Sequence, residues 1–578
     1  MSKGDRLVAA VAGLLLGQMP WSISAALPGS SRVPAEAGMV PMGKESGNRA
    51  TSSVTPEEFG AKGDGEYDDT AAVLQALLEA ERSSGTLRLL RWYRIAAPLL
   101  VGPRVRIVGN GWDSGLLASG RWTQAAVTIA GNDSAIQNLT LSAAGANVPQ
   151  LLKITGSRVQ VSNVRFTGAG RFKHSEEEAN AGLRPLAAVW IQGERGRTEI
   201  SDVLIEGAEF SDNGALDLGG YEVVANYLPG DASRVVLRRS RFRGARTTIA
   251  VCLFDTSAAR IMDNEIDQGN NSDETTSHAG RHQHDGYGIL IYNTPGALGP
   301  CADNLVAGNK VFNTAYSGIY LQGNVRSQVI GNEVAGACQV RSKHYVADST
   351  VSVGAISANA GNRPSPEAVA VVIASNVIRG SGSNGISVAN TRDALVSGNV
   401  IQDAAKHGVD ARNREPGLRV VGNIVREVGG CGISLTGETG PSENAWIAGN
   451  QVVGALAGVR VRDGALKPRI MANKIEHSRG VGIDLARTLD AEVIGNRVQS
   501  DSGSCLQAGG IRSVVVGNDL RCAATSTAVM VHRTAISSTV SANQVWSGGR
   551  QWLRDEGKDT GAWGNVERPG DESMVQPR

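Results

Sequence analysis

Several classes of protein are excluded by what this 578-residue chain has little of. Aromatic residues make up 4% of it, and its one marked apolar run, Leu7–Leu16, is too short to span a bilayer comfortably. The six cysteines show no CxxC or Cys/His spacing, so a zinc cluster is not indicated. A formal net charge of +1 gives the protein no overall electrostatic attraction to nucleic acid or an anionic membrane. The 72 glycines lack a collagen period, and the apolar content argues against a disordered chain.

Asparagine, by contrast, returns about every 23 residues in the second half of the chain. The positions are Asn309, Asn332, Asn376, Asn399, Asn423, Asn450, Asn473, Asn496, Asn518 and Asn543. Each follows a small residue, and strings such as VSGNVI (396–401) place a tight turn between strand formers. Such a period, built from short strands and turns, is typical of a solenoid. We predict that the asparagines occupy one turn and stack their amides as a structural ladder.

A second repeated feature is a glycine that opens a short strand of the type Gly-Ile-x-Leu. Period-two alternation predicts that Ile and Leu point inward and that x faces solvent. The predicted exposed column is Tyr320, Ser387, Asp410, Ser434, Arg460 and Asp484, with Asp217 and Leu290 before it. Two residues further along each strand lie Tyr292, Gln322, Arg412 and Arg462. This face is interpreted either as a groove for a linear polymer or as an ordinary solvated surface.

The segment FGAKGDGEYDDT (59–70) resembles the opening of the pectate-lyase-like superfamily of right-handed parallel β-helices. The resemblance implies an all-β, right-handed parallel β-helix with an N-terminal capping helix. Polysaccharide lyases, hydrolases, uronate epimerases and phage tailspikes all belong to that superfamily. Asp69 or Thr70 is expected to cap the helix, whose apolar residues Val73, Leu74, Leu77 and Leu78 share one face.

Four regions are predicted along the chain. Residues 1–26 read as a signal peptide, with Lys3 and Arg6 before the apolar run and a small-residue cleavage site at 24–26. Residues 27–53 form a linker, 54–547 the β-helix, and 548–578 a C-terminal cap and tail. The predicted location is therefore secreted or periplasmic. An unprocessed hydrophobic leader, such as a virion-attachment segment, is the alternative.

The densest polar departure from the repeat is the insertion QGNNSDETTSHAGRHQHDGY (268–287). Histidine and tyrosine can move protons near neutral pH, and arginine can neutralise a uronate carboxylate. We therefore predict that His284 or Tyr287 abstracts a proton and that Arg281 stabilises the carboxylate. Asp285 with Asp217 is the corresponding pair for hydrolysis. A solvated loop remains the alternative interpretation.

Substrate-binding residues are predicted on the outward face of the strands at Tyr292, Tyr320, Gln322, Asp410 and Arg412. Lys343 and His344, in the longer segment after Asn332, are predicted to close the groove. No metal site is predicted. No cofactor is indicated, although calcium is left open because acidic loops can hold it. The expected partner is a polysaccharide, without nucleic acid or a membrane span, and the chain is expected to be a monomer or a homotrimer.

These features predict an exported polysaccharide-degrading enzyme, a lyase if the polymer contains uronate. A glycoside hydrolase, a uronate C5-epimerase, a phage tailspike depolymerase and a non-catalytic carbohydrate-binding solenoid are kept as alternatives. The Asp-Pro-His triplet of alginate epimerases is absent, as is the Asn-Thr-Asp, Asp-Asp and Gly-His-Gly set of polygalacturonases. The resemblance therefore leaves the substrate open.

Overall fold

The computed structural model describes most of residues 53–569. The segments outside the described residues are 1–52, 84, 144, 171–184, 194–198, 215–219, 229, 244–248, 270–285, 295–296, 298, 340–352, 361–367, 439, 524, 548–550 and 570–578. No helix among the described residues is long and apolar enough to cross a membrane.

The chain is a right-handed parallel β-helix, in which every strand pair runs parallel and joins one turn of the coil, or rung, to the next. Three sheets run along the coil. Sheet 1 has 17 strands: Leu99–Val101, Val127–Ile129, Gln150–Ile154, Ala187–Ile191, Tyr221–Ala225, Ile249–Phe254, Tyr287–Tyr292, Ile319–Gln322, Gly354–Asn359, Asn384–Ala389, Val409–Arg412, Cys431–Thr436, Ala457–Arg462, Ile483–Leu489, Leu506–Ile511, Val529–Val531 and Leu553–Asp555.

Sheets 2 and 3 lie on either side of the asparagine turn and are joined by the long strands Ala135–Ser142 and Gln160–Thr167. The other strands of sheet 2 are Ser53–Val54, Thr86–Leu89, Arg106–Gly109, Leu204–Glu206, Val236–Arg238, Arg260–Met262, Leu305–Ala307, Gln328–Ile330, Val372–Ala374, Leu395–Ser397, Arg419–Val421, Trp446–Ala448, Arg469–Met471, Glu492–Ile494, Val514–Val516, Thr539–Ser541 and Gly561–Trp563. Those of sheet 3 are Asp64–Asp68, Trp92–Ile95, Gly115–Ala118, Glu209–Ser211, Arg241–Arg243, Glu265–Asp267, Lys310–Phe312, Glu333–Ala335, Val377–Arg379, Val400–Gln402, Ile424–Arg426, Gln451–Val453, Lys474–Ser478, Arg497–Ser500, Asp519–Cys522, Gln544–Ser547 and Val566–Pro569. Short edge strands follow sheet 1 at Glu199–Ser201, Asp231–Ser233, Cys301–Ala302, Asn324–Val325, Ala368–Val369 and Thr391–Arg392.

The core is a narrow apolar column inside the coil, built from one or two inward side chains per strand. Phe166, Phe210 and Phe242 stack in successive rungs with ring centroids 5.1 and 4.5 Å apart. The glycine that opens many sheet 1 strands is required by this narrowness. At Gly432 an added Cβ would lie 2.3 Å from Val452 Cγ1 in the core, closer than two carbon atoms can approach.

The predicted asparagine ladder is confirmed at all ten positions, and it extends to Asn264 and Asn565. Asn423 shows the pattern: its backbone N–H and its Nδ2 both donate to Oδ1 of Asn450 in the next rung, at 2.9 and 3.0 Å. Its Nδ2 also donates to the Val396 carbonyl at 2.9 Å. The amides are buried, so this bonding satisfies polar groups that water cannot reach.

The residue before each ladder asparagine has a left-handed backbone conformation. Glycine occupies most of these positions, for example Gly422 with φ +66° and Gly495 with φ +63°. Ser375, Ala472 and Ala542 adopt the same conformation with φ of 52–55°. The predicted small residue is thus explained by φ, because only glycine adopts this region without steric cost.

The N-terminal helix is present at Thr70–Arg82, after a 3₁₀ turn at Pro56–Phe59, and it packs on the first strands of the coil with Val73 and Leu77 buried. Leu78, expected on the same face, is 52% exposed. The expectation that the Asp69 side chain caps this helix is wrong. Asp69 is buried and accepts hydrogen bonds from the backbone N–H groups of Lys62 and Gly63 at 2.8 and 3.0 Å, so it fixes the preceding loop.

At the C-terminal end, rung pairing continues past residue 547, where the asparagine repeat had placed the end of the coil. Leu553–Asp555, Gly561–Trp563 and Val566–Pro569 pair in parallel with the strands before them. One disulfide joins Cys505 and Cys522, a pairing that the sequence left open.

Candidate functional site

The predicted outward column of sheet 1 has the register expected from the sequence. Leu290, Tyr320, Ser387, Asp410, Ser434, Arg460 and Asp484 occupy equivalent positions in successive rungs, with Ser357 between Tyr320 and Ser387. The second column contains Tyr292, Gln322, Arg412 and Arg462, with Thr436 between the two arginines. Their inward neighbours belong to the core, so the predicted alternation holds.

The expectation that the first column faces solvent is wrong for most of its residues. Tyr320, Ser387, Asp410, Ser434 and Asp484 are all buried. They lie outside the coil, yet they are covered because side chains of the same face pack over and pair with one another. Arg460, with 27% of its side chain exposed, is an exception in this stretch of the column.

In the middle rungs this face is apolar and aromatic. Outward side chains there form a second apolar cluster, separate from the core: Ala187, Trp190, Val224, Ile249, Cys252, Tyr287, Leu290, Tyr316, Tyr320 and Val353. Tyr287 lies within it, with ring centroids 4.6 Å from Tyr316 and 5.3 Å from Tyr320. Burial, together with these neighbouring tyrosines, raises the pKa of Tyr287 well above its ordinary value. Burial likewise raises the pKa of Tyr320.

Beside this cluster lies a half-exposed aromatic surface formed by Tyr221, Tyr227, Phe254 and Tyr292. Their rings meet edge to face, with centroids 5.9–6.4 Å apart. Phe254 and Tyr292 are register partners in adjacent rungs of the second column. The four rings thus present a continuous aromatic surface of the kind that can pack against sugar rings.

Four rungs beyond Tyr292 in the second column, the face becomes ionic. Asp410 is buried, and its Oδ2 accepts hydrogen bonds from Arg412 Nε at 2.8 Å and from Asn384 Nδ2 at 3.1 Å. Arg412 is the more exposed partner, with 24% of its side chain accessible. The ion pair between the two predicted substrate-binding residues leaves the arginine as the group that a ligand would meet.

His407 lies at the edge of this ionic region. Its Nδ1 accepts a hydrogen bond from the backbone N–H of Cys431 at 2.8 Å, which requires an unprotonated Nδ1 and places the ring proton on Nε2. Burial lowers the pKa of His407, and Asp410 partly opposes that shift. The ring is therefore held neutral, as a hydrogen-bond donor at Nε2.

Further along the coil, two arginines meet one carboxylate. Arg460 Nε lies 3.1 Å from Asp484 Oδ2, and Arg462 Nη2 donates to the same oxygen. Asp484 is 5% exposed at its side chain and lies beneath the two guanidinium groups. Positive charge thus predominates at this surface.

Six of the predicted residues lie outside the described residues: Arg281, His284, Asp285, Asp217, Lys343 and His344. Gln322 is described, and it lies half-buried between Tyr292 and Asn359 in the second column. Tyr292, Tyr320, Asp410 and Arg412 share one sheet face, as predicted. Tyr287 lies in the apolar cluster of the same face. Whether any of them acts on a substrate remains a prediction.

One feature of the site was missed by sequence reasoning. Tyr227 and Phe254 had no recognised place in the repeat, although Phe254 stands two residues after Cys252 as Tyr292 does after Leu290. Glu222 points into the core at the position held by Ala250 and Gly288 in the next two rungs. Burial raises its pKa to about 8, although Asn213 donates to its Oε2 at 2.7 Å.

Among the described residues there is no group of three or more His, Cys, Asp or Glu side chains that could hold a metal ion. The free cysteines Cys252, Cys301 and Cys431 are buried, and burial raises the pKa of each thiol. The described part of the chain therefore does not furnish a thiolate or imidazole cluster.

The fold and this elongated face define a right-handed parallel β-helix protein. A family model described as "Periplasmic copper-binding protein (NosD)" matches residues 268–450 and 369–565, which together span just over half of the chain. The chain belongs to this NosD family. No curated protein sequence matches it.

Solved structures similar to the chain include several β-helix proteins. The N-terminal fragment of bacteriophage phi29 gene product 12 has a TM-score of 0.46 and 11% identity, covering 89% of this chain and 92% of that one. The Dettilon tailspike protein has a TM-score of 0.42 and 14% identity, covering 75% and 68%. An exopolygalacturonase from Thermotoga maritima has a TM-score of 0.32 and 11% identity, covering 77% and 91%. No activity is transferred from them to this chain.

Proposed function

We propose that this protein is exported and binds a linear polysaccharide along the outward face of sheet 1. The observation that carries the proposal is the succession, on one face, of a half-exposed aromatic surface and an ionic region. Tyr292 and Arg412 are four rungs apart in one column, or about 19 Å at the usual strand spacing. A polymer lying along the coil axis would contact both regions.

The proposed chemistry is cleavage by β-elimination, with His284 removing the C5 proton of a uronate and Arg281 neutralising its carboxylate. The C4–O bond to the next sugar then breaks as a C4=C5 double bond forms, and the leaving oxygen takes a proton from water. His284 is preferred to Tyr287 because the Tyr287 hydroxyl is buried among tyrosines that raise its pKa. Epimerisation would share the first proton abstraction.

Hydrolysis by Asp217 with Asp285 is the second enzymatic candidate. Asp410 and Asp484 are not proposed as such a pair. They lie three rungs apart, about 14 Å at the usual strand spacing, whereas paired glycosidase carboxylates lie about 5–9.5 Å apart.

The proposed location is periplasmic or secreted. It is supported by the N-terminal leader, by the disulfide Cys505–Cys522 and by the periplasmic description of the family. The family description also includes copper binding. Within the described residues no three His, Cys, Asp or Glu side chains form a group that could hold a metal ion.

The test is incubation of the purified chain with acidic and neutral polysaccharides, following binding, ultraviolet absorbance of unsaturated products and new reducing ends. Tyr292→Ala should weaken binding, while Tyr67→Ala, an exposed tyrosine in the N-terminal strand Asp64–Asp68, should leave it unchanged. Loss of product in His284→Ala with binding retained would support the lyase. Reducing ends without unsaturated product would indicate hydrolysis.

Binding without product would indicate a non-catalytic solenoid. The mass in solution separates a monomer from a tailspike-like trimer. An absence of binding to every polymer would overturn the proposal.

A further inference from the structure

We infer that Thr436, Arg460 and Arg462 form a subsite for an anionic group carried on the sugar chain, a carboxylate or a sulfate ester. This inference rests on the proposed polysaccharide-binding function and adds the substrate class to it. The three residues come from two adjacent strands, Cys431–Thr436 and Ala457–Arg462. Thr436 and Arg462 are register partners in the second column, and Arg460 lies in the first column beside them.

The first observation is a shared acceptor. Arg460 and Arg462 both bond to Oδ2 of Asp484, so two guanidinium groups are matched by one carboxylate. The arrangement leaves one positive charge without a counter-charge at that point. The arginine side chains are 27% and 39% exposed, whereas Asp484 is buried beneath them. A ligand approaching the face would therefore meet the arginines first.

The second observation is a pair of polar atoms without partners. Within the described part of the chain, Thr436 Oγ1 and Arg462 Nε are buried and make no hydrogen bond. They belong to register-paired residues in neighbouring rungs. A buried donor or acceptor left unsatisfied costs about 1–3 kcal/mol, so two such atoms on register-paired residues favour a ligand that bonds to them.

Arg238 and Arg239 also share one carboxylate, that of Glu206, but they use its two different oxygens. Three single pairs provide a clearer contrast. Arg512 bonds Asp490 through Nε and Nη2 at 2.7 and 3.0 Å, using both carboxylate oxygens. Arg234 with Asp202 and Arg326 with Asp303 repeat this two-bond geometry. Each of these arginines has its own carboxylate. These pairs lie just after the ends of sheet 1 or edge strands, outside the two outward columns, and need no further acceptor.

The chemistry selects an anion on the polymer. A carboxylate or sulfate ester offers several acceptor oxygens, and the planar guanidinium fork binds such groups through parallel hydrogen bonds. Thr436 supplies a hydroxyl within the same column. The neighbouring Asp410–Arg412 pair is balanced, and His407 is held neutral, so neither cancels the excess charge.

The test measures affinity by calorimetric titration with two matched pairs of probes. The first pair is an oligogalacturonate and its carboxyl-reduced counterpart; the second is a dextran sulfate oligosaccharide and unmodified dextran. We expect the parent protein to prefer one or both anionic members, with affinity falling as salt is raised. The pair that shows the preference identifies the anion as carboxylate or sulfate.

We expect Arg460→Gln and Arg462→Gln each to lower that affinity about tenfold, equivalent to about 1.4 kcal/mol, without changing affinity for the neutral member. Arg512→Gln is the matched control and should bind as the parent does. Thermal unfolding of each variant establishes that it is folded. Equal affinity of the parent for anionic and neutral probes, or unchanged affinity in both arginine variants, would overturn the inference.

These results are distinguishable from failure of the proposed function. If neutral and anionic probes bind equally and Tyr292→Ala weakens the binding of both, the proposal of polysaccharide binding is supported and the anionic subsite is overturned. If the parent binds none of the probes, both the proposed function and the anionic subsite are overturned. Binding of free sulfate or galacturonate monomer as tightly as the oligosaccharide would also overturn the inference, because the site would then recognise a free anion and not an anionic group on a polymer.

Discussion

The two sides of the coil differ in how regularly their side chains repeat from rung to rung. At the turn between sheets 2 and 3, each rung from Asn264 to Asn565 has an asparagine that makes the same hydrogen bonds. The residue before each asparagine has a left-handed backbone conformation. On the outward face of sheet 1, register-equivalent positions change from Trp190 to Tyr320, Asp410 and Arg460. Repetition on one side fixes the spacing of the rungs. The other side is thereby free to vary its chemistry.

The difference teaches where stability and function should separate. The ladder is buried and fully bonded, so changes there should alter unfolding. The sheet 1 face contains half-exposed aromatic rings, two arginines that share one carboxylate, and the buried Thr436 Oγ1 and Arg462 Nε, which make no hydrogen bond within the described residues. Changes there should alter binding more than folding. Four predictions test this separation.

The largest effect is expected from Asn423→Ala on the ladder side. The substitution removes the acceptor for the backbone N–H and Nδ2 of Asn399 and leaves the Val396 carbonyl unbonded. We expect the free energy of unfolding to fall by about 3 kcal/mol or more, measured by denaturant titration. Asn565→Ala, at the half-buried end of the ladder, is the control and should cost less. Equal effects at both sites would contradict the ladder as the main stabilising device.

The second prediction concerns Glu222, the irregular inward residue of sheet 1. Its pKa is raised to about 8 from an ordinary 4.5, so the folded protein binds a proton that the unfolded chain releases between those pH values. Stability should therefore decline as pH rises from about 5 to 8. Glu222→Gln should remove this contribution and be more stable than the parent at pH 8, since each unit of pKa shift corresponds to about 1.4 kcal/mol.

The measurement is thermal and denaturant unfolding of the parent and the variant at several pH values. The difference should vanish near pH 4, where the carboxyl is protonated in both states. Glu265→Gln, an exposed carboxylate of sheet 3, should leave the parent's pH dependence in place. A difference that does not change with pH would show that Glu222 does not carry the proton.

The third prediction alters charge on the sheet 1 face. Asp484→Asn keeps the shape of the side chain and removes the negative charge that Arg460 and Arg462 share. Because the arginines are partly exposed, we expect a loss of only about 1 kcal/mol in stability. Affinity for the anionic oligosaccharide should rise severalfold in the same titration. Weaker binding would mean that Asp484 is needed to orient the arginines.

The smallest effect is expected from Ala472→Gly at the ladder turn. Ala472 has φ of 52°, a region in which alanine is strained and glycine is not. We expect a gain of about 0.5 kcal/mol in the free energy of unfolding. Ala448→Gly, in the strand Trp446–Ala448, is the control and should destabilise by a similar amount. A loss at both positions would indicate that chain entropy outweighs strain at the turn.

Much of the architecture was predictable because it depends on short-range regularities. The asparagine interval predicted the ladder, and period-two alternation predicted the register of Tyr320, Asp410 and Arg460. The exposure of that column was not predictable, since it depends on how side chains of neighbouring rungs pack and pair. Asp69 shows the same limit: its sequence position indicated a helix cap, yet its carboxylate bonds a loop that folds back toward it.

The sequence by itself determined the coil, because each rung repeats a local pattern of turn, alternation and asparagine that allows only one way of stacking. Tertiary structure decided which outward groups meet. It joined Tyr221 to Phe254, paired Cys505 with Cys522 and set two arginines on Asp484. Those contacts link residues 17 or more positions apart in the chain, so their distances are set by how the coil packs, which no local pattern encodes.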